Sequence, residues 1–289
     1  MPNQNKKIER GNFIMKKIIA ILLMLVMLVG CFASCGGNTA ENNDADKDAD
    51  KTAASDLAYI QEKGKIIIGI TDYAPMNYKE EGSTEWTGFD TEFAQKFAEE
   101  LGVEVEFIEI DWDSKQMELK SKSIDAVWNG MTITDEVKKS MDVSNAYVKN
   151  AQVVVMNKDK VAEYTTADSM KNLKFAAESG SAGEEAIKDA GFENLTVVKT
   201  QALALLEVKS GSADACVIDI TMANAMTGEG TSYADLAKGI ELTTEEYGVA
   251  FRQGSDMVAT FNNFMTKVYE SGWLKTLAEK YELTLALEA

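Results

Sequence analysis

Lys65-Ile66-Ile67-Ile68-Gly69-Ile70 is, after its lysine, an unbroken apolar run bounded by Gly64 and by Thr71-Asp72. Its continuity predicts a strand buried on both faces. Downstream, Phe93, Phe97, Ala98 and Leu101 recur at helical spacing across Asp90 to Leu101, behind an acidic start and ahead of Gly102. Val103 to Ile108 alternates as a second strand, Ser114 to Lys122 reads as a helix, and Asp125 to Trp128 as a short buried strand. Thr134 is placed to cap a helix ending near Ser140. Strand and helix in alternation imply an α/β sheet with its sites at the carboxyl ends of the strands.

A second series follows. Ala151 to Met156, Lys174 to Ala177, Leu195 to Val198 and Ala215 to Ile218 read as strands, and Ser181 to Ala190, Leu203 to Lys209 and Ile220 to Ala225 as helices. Tyr247 to Phe251 is a further strand, followed by helices over Asp256 to Ser271 and Gly272 to Tyr281. Two α/β series predict two lobes, and a cleft between lobes is where a small ligand binds.

Composition narrows the chemistry. The 289 residues are 45% hydrophobic and 26% charged, an ordinary globular mixture, and they include no His. Catalysis through an imidazole and most catalytic zinc sites are therefore excluded, and no cofactor or metal is expected. The net charge is −18; the first 35 residues carry +4, so the remainder carries −22. Nucleic acid is not an expected partner of so acidic a body. After Arg10 the one arginine is Arg252. Cys216 lies in an apolar run and reads as an inert core thiol.

The N-terminus reads as an address. Met15-Lys16-Lys17, the expected true start, precedes twelve consecutive apolar residues from Ile18 to Val29, the pattern of a secretory signal and too short to span a bilayer comfortably. Small residues then precede Cys31 and Cys35, which resembles a bacterial lipobox. Cys31 has the better preceding residues, Cys35 the better following ones, and the reading places the lipid on Cys31 with Cys35 as the alternative. Residues 1–35 are thus a signal peptide with lipobox. Residues 36–56, with six acids, two lysines and otherwise small or polar residues, read as a disordered tether reaching ~25 Å.

Five short motifs occur in order: Gly69-Ile70-Thr71-Asp72-Tyr73-Ala74-Pro75-Met76, Gly88-Phe89-Asp90, Gly130-Met131-Thr132-Ile133-Thr134, Asp142-Val143-Ser144-Asn145-Ala146-Tyr147 and Tyr247-Gly248-Val249-Ala250. Together they resemble the family 3 solute-binding proteins of amino-acid ABC transporters, from Leu57 to about Leu283. The resemblance implies a two-lobed fold of the periplasmic-binding-protein type 2, with residues 57–150 plus 248–289 as one lobe and 151–247 as the other. Hinge crossings are expected near Asn150 to Val153 and near Gly248. It also implies a monomeric, lipid-anchored receptor on the outer face of a bacterial membrane that closes on its ligand and docks on a permease.

By the same resemblance Tyr73 and Trp112 pack on the ligand side chain, and Asp72 stands where acids contact polar ligands. Asn129, Gly130 and Thr132 present polar groups, Ser181 and Ala182 offer amides at a helix N-terminus, and Asp219 pairs with the ligand's α-ammonium. The plainer alternatives are that Asp72 and Asp219 are caps or turn residues and that Tyr73 and Trp112 are rim packing. Where amino-acid binders of this family usually carry an arginine that grips the α-carboxylate, this chain has Val137. Glu178 falls two residues before Gly180, at a position able to face the cleft. Asp72, Glu178 and Asp219 without an arginine imply a negative pocket, suited to a basic amino acid or an amine; if Glu178 faces solvent, a neutral amino acid fits. The alternatives are a sensor acting on a separate partner and a dehydratase-like enzyme using a cleft carboxylate as acid.

Overall fold

A computed structural model describes residues 55–287. In chain order the strands are β1 Lys65–Ile70, β2 Glu104–Glu109, β3 Ala126–Thr132, β4 Asp142–Val143, β5 Val148–Asn150, β6 Gln152–Asn157, β7 Phe175–Glu178, β8 Leu195–Val198, β9 Ala215–Asp219, β10 Leu236–Glu241 and β11 Glu245–Phe251. The helices are α1 Asp56–Lys63, α2 Phe89–Leu101, α3 Lys115–Lys120, α4 Asp135–Ser140, α5 Ala167–Met170, α6 Ala182–Asp189, α7 Gln201–Ser210, α8 Ile220–Met226, α9 Met257–Glu270 and α10 Trp273–Lys280; a 3-10 turn at Trp112–Ser114 leads into α3.

Two sheets form. The first runs β2-β1-β3-β11-β4, with β5 also paired to β11. β1 is parallel to β2 and β3, whereas β11 is antiparallel to β3, β4 and β5. The second runs β10-β6-β9-β7-β8, with β7 parallel to β8 and β9. Parallel pairing buries both faces, which is why β3 and β9 read as near-continuous apolar runs. Trp128 is core: its ring lies 5.1 Å from Phe93 and 4.9 Å from Phe261. Cys216 is buried as expected, and burial pushes its thiol pKa up.

The chain passes between sheets twice, at Ala151 between β5 and β6, and at residues 242–244 between β10 and β11. The second crossing therefore lies before Gly248, because β11 pairs with the first sheet from Glu245 onward. The tether boundary shifts as well. Ser55 caps α1 by accepting from the Ala58 amide at 3.0 Å, and Asp56 accepts from Arg252 Nε at 2.9 Å, so both belong to the folded body. The signal peptide, Cys31, Cys35 and residues 36–54 lie outside the described residues. Strand β10 escaped the sequence reading because Leu-Ala-Lys-Gly-Ile-Glu is neither a continuous apolar run nor a clean alternation; it is an edge strand with a register shift between Lys238 and Glu241.

Candidate ligand-binding cleft

The carboxyl ends of β3, β7 and β9 converge on a cleft of about 450 Å³, walled by the 3-10 turn, α3 and α4 of the first lobe and by α6 of the second. Of the expected site residues, Trp112, Asn129, Gly130, Thr132, Glu178, Ser181, Ala182 and Asp219 line it; Asp72 and Tyr73 do not. Asp72 is exposed outside the cleft. Tyr73 is 2% exposed, and its hydroxyl shares hydrogen bonds of 2.5 Å with both Thr221 Oγ1 and Tyr247 Oη. Its hydroxyl ties the two lobes together.

Several expected ligand donors are already engaged within the protein. The Gly130 amide donates to Asp90 Oδ2 at 2.6 Å, and the Thr132 hydroxyl donates to Glu245 Oε1 at 2.7 Å. Gly130 has φ +55, and a Cβ there would stand 2.7 Å from the Tyr73 ring, so no other residue fits. Asn129 spends its side chain on Thr71, accepting from Thr71 Oγ1 at 2.8 Å and donating to the Thr71 carbonyl at 3.0 Å. Ser181 caps α6 by accepting from the Glu184 amide at 3.1 Å. In return Glu184 Oε2 accepts from the Gly180 amide at 2.7 Å, so the carboxylate seated at this helix start is the chain's own. Burial pushes the Glu184 pKa up, but Lys188 and the Gly180 amide hold it below the usual range.

Asp219 ends β9 at the cleft floor, 4% exposed. Its Oδ1 accepts from Asn150 and from Gln152 Nε2, the latter at 2.7 Å, and its Oδ2 accepts from Gln201. The same Asn150 and Gln152 amides donate to Glu245 Oε1, at 2.6 and 2.7 Å. Two carboxylates from different lobes are thus joined by amides beside the crossing at Ala151. Burial, with Glu245 nearby, raises the Asp219 pKa. This network was missed in the sequence because its members are far apart in the chain: Asn150 and Glu245 are separated by 95 residues.

Glu178 ends β7, 2% exposed, and its Oε1 has no hydrogen-bond partner. Burial, then Asp219, pushes its pKa up to about 8. It faces the cleft, as the sharper sequence reading required. No arginine lines the cleft, but two lysines do, Lys115 and Lys188, against Asp113, Glu136, Glu178, Glu184, Glu185 and Asp219. The formal balance remains negative. Lys115 places its ammonium 4.9 Å above the Trp112 ring, so the chain itself supplies that aromatic face with a cation.

The lobes meet across the cleft. Lys115 Nζ donates to the Gly180 carbonyl at 2.9 Å, and Ser179 Oγ donates to Asp113 Oδ2 at 3.2 Å. Gly180 has φ +69, and a Cβ there would lie 2.7 Å from Asp113 Cα. Arg252 is fully employed elsewhere, donating to Asp56, Asp125 and the carbonyls of Leu119 and Ile124. Val137 lines the cleft and adds no charge. Among the described residues, no group of three or more acidic or thiol side chains is arranged to hold a metal ion.

Residues 66–284 match the profile of the bacterial extracellular solute-binding proteins, family 3. The chain belongs to that family. As a member of this extracellular family it is an exported protein. It is 33% identical over 231 residues to the arginine-binding extracellular protein ArtP of Bacillus subtilis, covering 76% of this chain and 86% of that one. It is 30% identical over 262 residues to the ABC transporter glutamine-binding protein GlnH of the same species, covering 89% and 93%. The crystal structure of the ancestral amino acid-binding protein AncCDT-1, a precursor of cyclohexadienyl dehydratase, superposes with a TM-score of 0.72 at 31% identity, covering 78% of this chain and 99% of that one. That structure shares the two-lobed type 2 fold with this family 3 protein.

Proposed function

We propose that this family 3 protein captures an amino acid with a cationic side chain in the cleft between its lobes and delivers it to the permease of an ABC importer. The observation that carries the side-chain preference is Glu178: a carboxylate 2% exposed, facing the cleft, with one oxygen unpaired. A buried carboxyl left without a partner is destabilising, and a ligand cation reaching it supplies both the missing hydrogen bond and the counter-charge. Asp219 accepts from three side-chain amides yet keeps lone pairs for an α-ammonium at the cleft floor.

Capture works by closure. The bridges from Lys115 to Gly180, from Ser179 to Asp113 and from Tyr73 to Thr221 are those of lobes brought together, and two short crossings are the hinge geometry that lets them part. The reading includes no chemical turnover. It places a lipid on Cys31, with Cys35 as the alternative, a tether through residues 36–54, and a monomeric receptor free to present both lobes to the permease. A thermal-shift screen of the purified protein against the twenty amino acids, polyamines and quaternary amines tests it. A ligand at a hundred times its dissociation constant adds about 2.7 kcal/mol. Arginine or lysine should give the largest shift; a larger shift with glutamate would overturn the preference.

A further inference from the structure

Most donors around the cleft are committed: the Gly130 amide to Asp90, the Thr132 hydroxyl to Glu245, the Gln201 amide to Asp219 and the Gly180 amide to Glu184. Lys188 is exposed and paired to Glu184 at 2.6 Å. Lys115 differs. Its ammonium donates only to neutral carbonyls, Trp112 at 3.1 Å and Gly180 at 2.9 Å, and among the described residues no carboxylate oxygen stands within ion-pair distance of it. An ammonium has three N–H groups, so one is left for an incoming acceptor. Burial lowers the Lys115 pKa, against the acids around it, so an anion docking beside it would favour the charged form.

Resting on the reading that the ligand is an amino acid, we propose that Lys115 receives the ligand's α-carboxylate and so selects the free acid over its amide or decarboxylated amine. The cleft then offers groups of both signs. Lys115 sits at the junction of the 3-10 turn and α3 on the first lobe, and the buried acids Glu178 and Asp219 end β7 and β9 on the second, Glu178 near enough to favour the charged form of Lys115. A zwitterion laid across it meets Lys115 with its carboxylate and Asp219 with its ammonium. The position lacking an arginine, Val137, lines the same cleft, so Lys115 supplies the charge that residue does not. Because Lys115 also donates to Gly180, the carboxylate arrives at the seam where the lobes join.

The test is calorimetry on the whole protein with L-arginine, L-lysine and L-glutamine, each paired with its α-carboxamide. A charge-assisted hydrogen bond predicts that wild type binds each acid about tenfold to a hundredfold more tightly than its carboxamide. Lys115→Met should abolish that ratio and Lys115→Arg should keep it. Loss of the bridge to Gly180 weakens acid and amide alike, so the ratio isolates the carboxylate contact. Equal binding of acid and carboxamide by wild type, or an unchanged ratio in Lys115→Met, would overturn the assignment while leaving amino-acid capture intact. Failure of wild type to bind any of the three acids would instead remove the functional reading on which the assignment rests.

Discussion

Glu178→Gln separates what this side chain does for the fold from what it does for the ligand. Burial, with Asp219 close by, moves its pKa from 4.5 to about 8, so between those values the folded chain holds a proton that the unfolded chain has released. A carboxyl raised in this way makes the unliganded protein lose stability as pH rises through that window. At 1.36 kcal/mol per pKa unit, the loss between pH 5 and pH 8 is roughly 3 kcal/mol. Glutamine keeps the shape and removes the slope. At pH 8 the unliganded variant should melt about 6–12 °C above wild type, and at pH 5 close to it. Ligand affinity moves the other way, because a charge-assisted bond of about 1.5–3 kcal/mol disappears: arginine should bind about tenfold to a hundredfold more weakly, and glutamine nearly as before. Differential scanning fluorimetry at the two pH values and calorimetry with the two amino acids read both effects. A variant melting at or below wild type at pH 8, or losing both ligands equally, would refute the reasoning.

Other residues give separable outcomes. Arg252→Met leaves the fully buried Asp125 side chain with Lys63 and the Ile67 amide, both on Oδ2, and strips Oδ1 of its partner, which should cost about 3–5 kcal/mol and lower the melting temperature by roughly 6–20 °C with arginine affinity unchanged; calorimetry on the folded variant checks the second half. Gly180→Ala puts a Cβ 2.7 Å from Asp113 Cα, so closure should be blocked, every ligand weakened, and small-angle scattering should show no compaction at saturating ligand. In cells, Cys31→Ser should shift the protein from the detergent phase to the aqueous phase, and Cys35→Ser should not.

Much of the fold was legible because buried parallel strands such as β1 and β9 leave unbroken apolar runs and helix α4 announces itself by its threonine cap. Asp219 was singled out by the family resemblance and Glu178 by its place two residues before Gly180; both stand at strand ends, β9 and β7, on the side of an α/β sheet where ligands bind. The bridge from Tyr73 to Thr221 was not legible because a local motif does not reveal a hydroxyl bonded to a residue 148 positions away. Lys115 and the Asn150, Gln152 and Glu245 network were invisible because each contact joins the two lobes or two separate segments. The second crossing was displaced because Glu245-Glu246, charged and unlike a buried strand, nonetheless pairs with β5.

The central claim is that a negatively balanced cleft between the lobes takes an amino acid carrying a positive side chain. Titrating the purified protein with L-arginine and with L-glutamate at pH 7.5 in one buffer tests it most directly. The account predicts saturable binding of arginine and far weaker binding of glutamate. Glutamate binding as tightly as arginine, or more so, would contradict it.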